Sequence, residues 1–163
     1  MTQAAGLSSE AVAERVTQAC PAKDYHDKKV LLIVPDGTRT APIGLVFKAL
    51  HRAIGGVVKS LDVLVALGTH QPMSELAICA RLEISLLACQ DTYRHVRFFN
   101  HAWNDPSALA RIGTIPADEI RELSGGRFAL DVPVEINRLL FEYDQIILIG
   151  PVFPHEVVGF SGD

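Results

Sequence analysis

Residues 30–39 read Val30-Leu31-Leu32-Ile33-Val34-Pro35-Asp36-Gly37-Thr38-Arg39, five aliphatic residues that stop on Pro-Asp-Gly. An unbroken aliphatic run, unlike an alternating one, suits a strand buried on both faces of a parallel sheet. Pro35-Asp36-Gly37 supplies the turn chemistry that ends it. Apolar residues then return at the helical period, at Ile43, Val46, Phe47, Leu50 and Ile54. Pro42 is tolerated in the first turn of such a helix, and Gly55-Gly56 closes it.

The strand–turn–helix pattern recurs along the chain. Residues 61–67 form a second strand ended by Gly68, and Pro72 precedes a helix expected over 73–89, with Leu76, Ala80 and Ile84 aligned. Further strands are expected at 96–99 and 145–149. A first helix runs from Ser8 or Ser9 to about Cys20. Weaker signals predict short strands at 113–120 and 132–136, a helical turn over 137–143, and a loop over 151–163. Alternating strands and helices argue for an α/β fold, a layered sheet with flanking helices. At 163 residues the chain fits one domain. It stops on Ser161-Gly162-Asp163, just after a strand and a Gly-rich loop, so residues 1–163 are expected to be a single but incomplete α/β domain.

Composition narrows the function classes. Fifteen Lys+Arg against nineteen Asp+Glu give a net charge of -4, with no basic tract, so nucleic acid is not an expected partner. No apolar run approaches the ~20 residues of a membrane-spanning helix. The first ten residues lack the layout of a signal peptide, and a cytoplasmic location is expected. Cys20, Cys79 and Cys89 are odd in number and widely spaced, which predicts reduced thiols without a disulfide framework or zinc pattern.

In open α/β sheets ligands collect beyond the carboxyl ends of the strands. The residues following each strand therefore define the candidate site. They are Asp36-Gly37-Thr38-Arg39, then Gly68-Thr69-His70-Gln71-Pro72, then Asn100-His101, then Gly150 through His155 and Gly159 through Gly162. Gly37 permits close backbone approach, and Arg39 beside a helix N-terminus suits a phosphate or carboxylate. Asp36 is suited either to accept from ribose hydroxyls or to orient Arg39. The bland alternative is a capped β-turn. His70 and His155 end different strands, and each is a candidate general acid/base. A lone histidine more often lies on the surface, but two at the ends of different strands support each other. The dinucleotide glycine fingerprint, the P-loop, the nucleophile elbow and HExxH are all missing.

An ordered set of residues spanning most of the chain resembles the nickel-dependent lactate racemase family. It comprises Asp36-Gly37-Thr38-Arg39 with Pro42, Gly68-Thr69-His70 with Pro72, Asn100-His101 with Trp103 and Asp105, Val134-Glu135-Ile136-Asn137-Arg138, Asp144, Ile149-Gly150, Pro154-His155 and Gly159-Phe160-Ser161-Gly162. The resemblance implies the N-terminal domain of a two-domain α/β protein. The cofactor it implies is a nickel pincer nucleotide, nickel pyridinium-3,5-bisthiocarboxylate mononucleotide, held between the halves. Asp36, Gly37, Thr38 and Arg39 would contact the nucleotide and a small 2-hydroxy acid. His70 and His155 would be paired proton donor/acceptors while the α-hydrogen leaves as hydride and returns on either face. No metal ligand is implied within the chain. The attachment lysine and nickel-ligating histidine are expected beyond Asp163, in a C-terminal domain that acts as intramolecular partner. Gln71 stands where the family commonly has Arg, and Asp163 where it has Gly.

The leading expectation is thus a 2-hydroxy acid racemase or epimerase, incomplete and inactive as this chain alone. The alternative is a non-catalytic nucleotide- or carboxylate-binding module that needs a second domain or chain. A third is an isolated half-domain exposing apolar surface.

Overall fold

The computed structural model describes residues 6–155 and 159–162, with the backbone alone at His155, Ser161 and Gly162. Ser8 caps α1 (Ser9–Ala19) by accepting from the Ala11 amide at 3.2 Å. The aliphatic run becomes β1 (Lys29–Pro35), and the stripe after Pro42 becomes α2 (Ile43–Ile54). β2 (Ser60–Ala66), α3 (Glu75–Arg81), α4 (Leu86–Gln90) and β3 (Phe98–Asn100) follow. Next come β4 (Leu109–Ile115), α5 (Ala117–Leu123), β5 (Val132–Asn137), β6 (Gln145–Leu148), β7 (Val152–His155) and β8 (Gly159–Gly162).

These elements divide into two compact units, Met1–His101 with Tyr143–Asp163 and Ala102–Glu142. The first holds a four-stranded sheet of order β3-β2-β1-β6, parallel at every pairing. The chain winds one way from β1 through β2 to β3, and β6 then joins the opposite side of β1. Strand order therefore reverses between β1 and β6. Such a switch point leaves a crevice outside the carboxyl ends of the strands.

Alternation along the strands fills the core. Val30, Leu32 and Val34 of β1 and Leu61, Val63 and Val65 of β2 pack with Ile43, Phe47, Leu50 and Ile54 of α2. Leu31 and Leu64 point the other way and are also buried, at 0% and 3% exposure, which is why the β1 run needs no polar interruption. Asp62 is the exception: it is fully buried and accepts from the Arg97 amide (2.9 Å), Nε (3.2 Å) and Nη2 (2.7 Å), and from the Tyr143 hydroxyl (2.7 Å). Burial pushes its pKa up, but the Arg97 and Tyr143 donors outweigh that and hold the carboxyl below its ordinary value.

Several expectations are corrected. The helix expected over 73–89 is two helices. Glu83 takes a left-handed φ of 53° in the turn between them, and Ser85 caps α4 by accepting from the Ala88 amide. That reversal brings buried Cys79 and Cys89 together as a disulfide, with Cα atoms 7.0 Å apart, so the expectation of unpaired thiols fails for this pair. Ten residues of separation carry no pairing signature by themselves. The Cys20 thiol accepts a hydrogen bond from the Tyr25 hydroxyl.

In the second unit, β4 and β5 pair antiparallel, and the strand expected at 113–120 ends at Ile115. Pro116 starts α5 there, Asp118 and Glu119 favour its first turn, and Asp131 accepts from the Ala117 amide. The loop expected over 151–163 instead contains the antiparallel pair β7–β8. Among the described residues no helix is long and apolar enough to cross a membrane.

Candidate functional site

β1 and β2 run in register with Pro35 opposite Ala66, so their next residues leave the sheet side by side. Asp36-Gly37-Thr38-Arg39 and Leu67-Gly68-Thr69-His70 form matching turns. The Arg39 amide reaches Asp36 O at 3.5 Å, and the His70 amide reaches Leu67 O at 3.0 Å. The two turns share a Gly-Thr pair at the same height above the sheet. Gly68 needs glycine for its φ of +57°. Gly37 does not have a left-handed φ, and a Cβ there would meet nothing within 4 Å.

The registration brings Asp36 against His70. Asp36 is 7% exposed. Its Oδ1 accepts from the Thr38 amide at 3.0 Å and the Thr38 hydroxyl at 2.5 Å, while Oδ2 lies 2.5 Å from His70 Nδ1. Burial raises the Asp36 pKa, yet the Thr38 and His70 donors more than offset it, and the carboxyl is held below its ordinary value. An ionised carboxylate can only accept, so the shared hydrogen belongs to Nδ1 and neutral His70 presents Nε2 as a base. The His70 side chain is 57% exposed, which leaves that nitrogen accessible. Asp36 thus orients His70; of the two uses read from the sequence, neither anticipated this contact.

Arg39 lies with its guanidinium carbon 5.7 Å from the centre of the Phe153 ring in β7, across the switch point. Arg81, at the end of α3, donates from Nε to Pro35 O at 3.2 Å and from Nη2 to Arg39 O at 2.7 Å. Sequence reasoning missed Arg81, whose helical position reads as an ordinary surface cation. Asn100, at the end of β3, accepts from the Met73 amide and donates to Met73 O, both at 2.9 Å, fixing the segment that follows His70. His155 lies in β7 with its backbone opposite Gly159, and its side chain is outside the described residues.

A cleft of about 110 Å³ opens between the two turns, walled by Asp36, Thr38, Arg39, Gly68 and His70. Ligand pockets usually run to ~300–1,000 Å³, so this cleft is sized for part of a ligand. A larger cavity of about 340 Å³ beside β3 is lined by Met73, Glu75, Arg97 and Phe98. It contains no acid–base pair, and the chemistry points to the smaller cleft. Among the described residues no three His, Cys, Asp or Glu side chains gather as a metal ion would require.

A parallel sheet whose polar turns and Asp36–His70 pair sit together at the carboxyl ends of β1 and β2 defines an α/β domain with its polar groups where ligands collect in open sheets. The chain belongs to the family described as the lactate racemase N-terminal domain, whose model matches residues 9–163. Over 137 residues it is 28% identical to the lactate racemase of Thermoanaerobacterium thermosaccharolyticum, covering 83% of this chain and 28% of that protein. A crystal structure of a Thermotoga maritima protein superposes with a TM-score of 0.83 at 36% identity, covering 96% of this chain and 36% of that one. The chain therefore spans about a third or less of the relatives it matches.

Proposed function

We propose that this chain carries the amino-terminal part of a racemase or epimerase site for a small, lactate-like 2-hydroxy acid. The observation that carries this reading is the Asp36–His70 pair at the carboxyl ends of β1 and β2. A buried acceptor fixes the His70 tautomer, so Nε2 can take a hydroxyl proton and return it. His155 serves the opposite face of the same carbon. The family resemblance implies that the α-hydrogen leaves and returns as hydride, which suits a C–H that is only weakly acidic near neutral pH. A nickel pincer nucleotide, when bound, supplies the hydride acceptor.

The chain's own residues fit the nucleotide part of that group. Nothing in the backbone or packing requires glycine at position 37, whereas a ligand lying against the turn would. Asp36 Oδ2 has capacity for one further donor, such as a ribose hydroxyl. Thr38 fixes the carboxylate, and Arg39 presents a planar fork suited to the carboxylate of the hydroxy acid or to a phosphate. The small cleft is completed by residues outside this chain, which also supply the attachment lysine and the nickel ligand. The C-terminal domain is the intramolecular partner in this reading, and the assembled enzyme is cytoplasmic.

Gly37→Ala tests the cradle in that assembled protein. Stability should stay level or rise by about 0.4–1 kcal/mol, because alanine narrows the unfolded ensemble at a backbone conformation it can adopt. Nucleotide retention and racemisation should both fall. Undiminished activity in Gly37→Ala would remove the ligand from this turn. Arg39→Lys should weaken hydroxy acid binding with little change in melting temperature, because a point charge cannot reproduce the bidentate fork. A large drop in melting temperature with binding intact would instead make the segment a structural turn.

A further inference from the structure

We infer that Arg81 is a positioning residue of the proposed site, holding the Asp36–Arg39 turn by both of its ends. Its functional meaning rests on the role proposed for His70, although the contact itself does not. Arg81 ends α3, a helix anchored in the core by buried Ile78 and Cys79. Its Nε and Nη2 reach Pro35 O and Arg39 O, the carbonyls on either side of Asp36-Gly37-Thr38. The turn's own closing hydrogen bond is long, at 3.5 Å. The guanidinium fork, more than that bond, sets the width of the turn.

No carboxylate among the described residues pairs with Arg81. Its donors are spent on two backbone carbonyls, so ion pairing does not explain its placement. The path also closes on itself. The segment leaving His70 is fixed by Asn100 at Met73 and enters α3 at the Ser74 cap, and the last residue of α3 returns to the turn that holds Asp36. His70 and Asp36, 34 residues apart in sequence, are thus held by one short helix as well as by the sheet. With the clasp open, Asp36 is free to drift from Nδ1, and Arg39 loses the backbone anchor beneath its contact with Phe153.

The test is histidine-ring ¹⁵N–¹H NMR on the 163-residue chain and its Arg81→Ala and Arg81→Lys variants. The unsubstituted chain should show a protected His70 Nδ1–H. Exchange of that hydrogen with solvent should quicken roughly tenfold or more in both variants, the factor expected for one lost hydrogen bond to a charged group. Lysine should not rescue, since it keeps the charge and loses the fork. His51, half-buried against the rings of Phe47 and Tyr93, reports whether the fold survives and should keep its shifts. Unchanged His70 protection in Arg81→Ala, full rescue by Arg81→Lys, or parallel loss of the His51 signals would each overturn the inference. A protected His70 responding as expected, in a complete protein that never racemises, would sink the functional reading and leave the clasp standing.

Discussion

On the proposed reading, racemisation of either isomer should fall about 10²–10⁴-fold in His70→Ala once the rest of the site is in place, the usual contribution of a positioned acid–base group. The melting temperature should change little, because the ring is 57% exposed and only Asp36 loses a partner. Asp36→Asn should also impair turnover, with KM less affected than kcat. The amide has the same shape but is no longer obliged to accept, so the two His70 tautomers compete. Acid should expose the same contact. Asp36 has its carboxyl pKa lowered in the fold, so its ionised form stabilises the turn above the unfolded carboxylate value of about 3.9. That contribution is lost as pH falls through the lower, folded value. A loss below about tenfold in His70→Ala would mark the residue as a surface histidine with no acid–base part.

The largest expected stability change lies at the other end of β2. Asp62→Ala should cost about 2–4 kcal/mol, because the Arg97 amide and the Tyr143 hydroxyl both lose a buried acceptor. Breaking a fully buried ion pair typically costs ~3–5 kcal/mol. Here the Arg97 side chain is 61% exposed and can rehydrate, which favours the lower figure. Against a total stability of about 5–15 kcal/mol for a domain, this is a large fraction. Chemical denaturation of the two proteins at neutral pH measures it, and a difference below about 0.5 kcal/mol, the usual scatter for surface changes, would mean that the network is not formed. The Asp62 pKa is lowered in the fold, so part of the native advantage should fade as pH falls below the ordinary carboxylate range, whereas Asp62→Asn should flatten that dependence.

The elements legible in the sequence are those whose pattern is local. Val30–Val34 is a strand because five aliphatics in a row suit burial on both faces, and Ile43 to Ile54 is a helix because its stripe recurs at 3.6 residues. Features that depend on tertiary context were not legible. The left-handed turn at Glu83 interrupts a pattern that reads as one helix. The β7–β8 pair hides in a segment rich in Pro and Gly, whose composition reads as loop. The candidate turns could be located from strand ends alone, but the contact between Asp36 and His70 depends on Pro35 pairing with Ala66. The Gly-Thr repeated at 37–38 and 68–69, just after two successive strands, is the signal that could have suggested it. Arg81 offered none, because its partners are backbone carbonyls and any exposed helix accepts an arginine.

Single-turnover oxidation of each pure stereoisomer to its planar 2-keto acid, in His70→Ala and His155→Ala of the assembled protein, tests the paired-base account most directly. If each histidine handles the hydroxyl proton on one face, each variant should be slowed about 10²–10⁴-fold with one isomer and far less with the other, in opposite senses. Steady-state racemisation falls in both variants whichever isomer is supplied, because a full cycle visits both faces. Equal single-turnover rates from the two isomers in both variants would contradict the two-base assignment, even with the nucleotide fully bound.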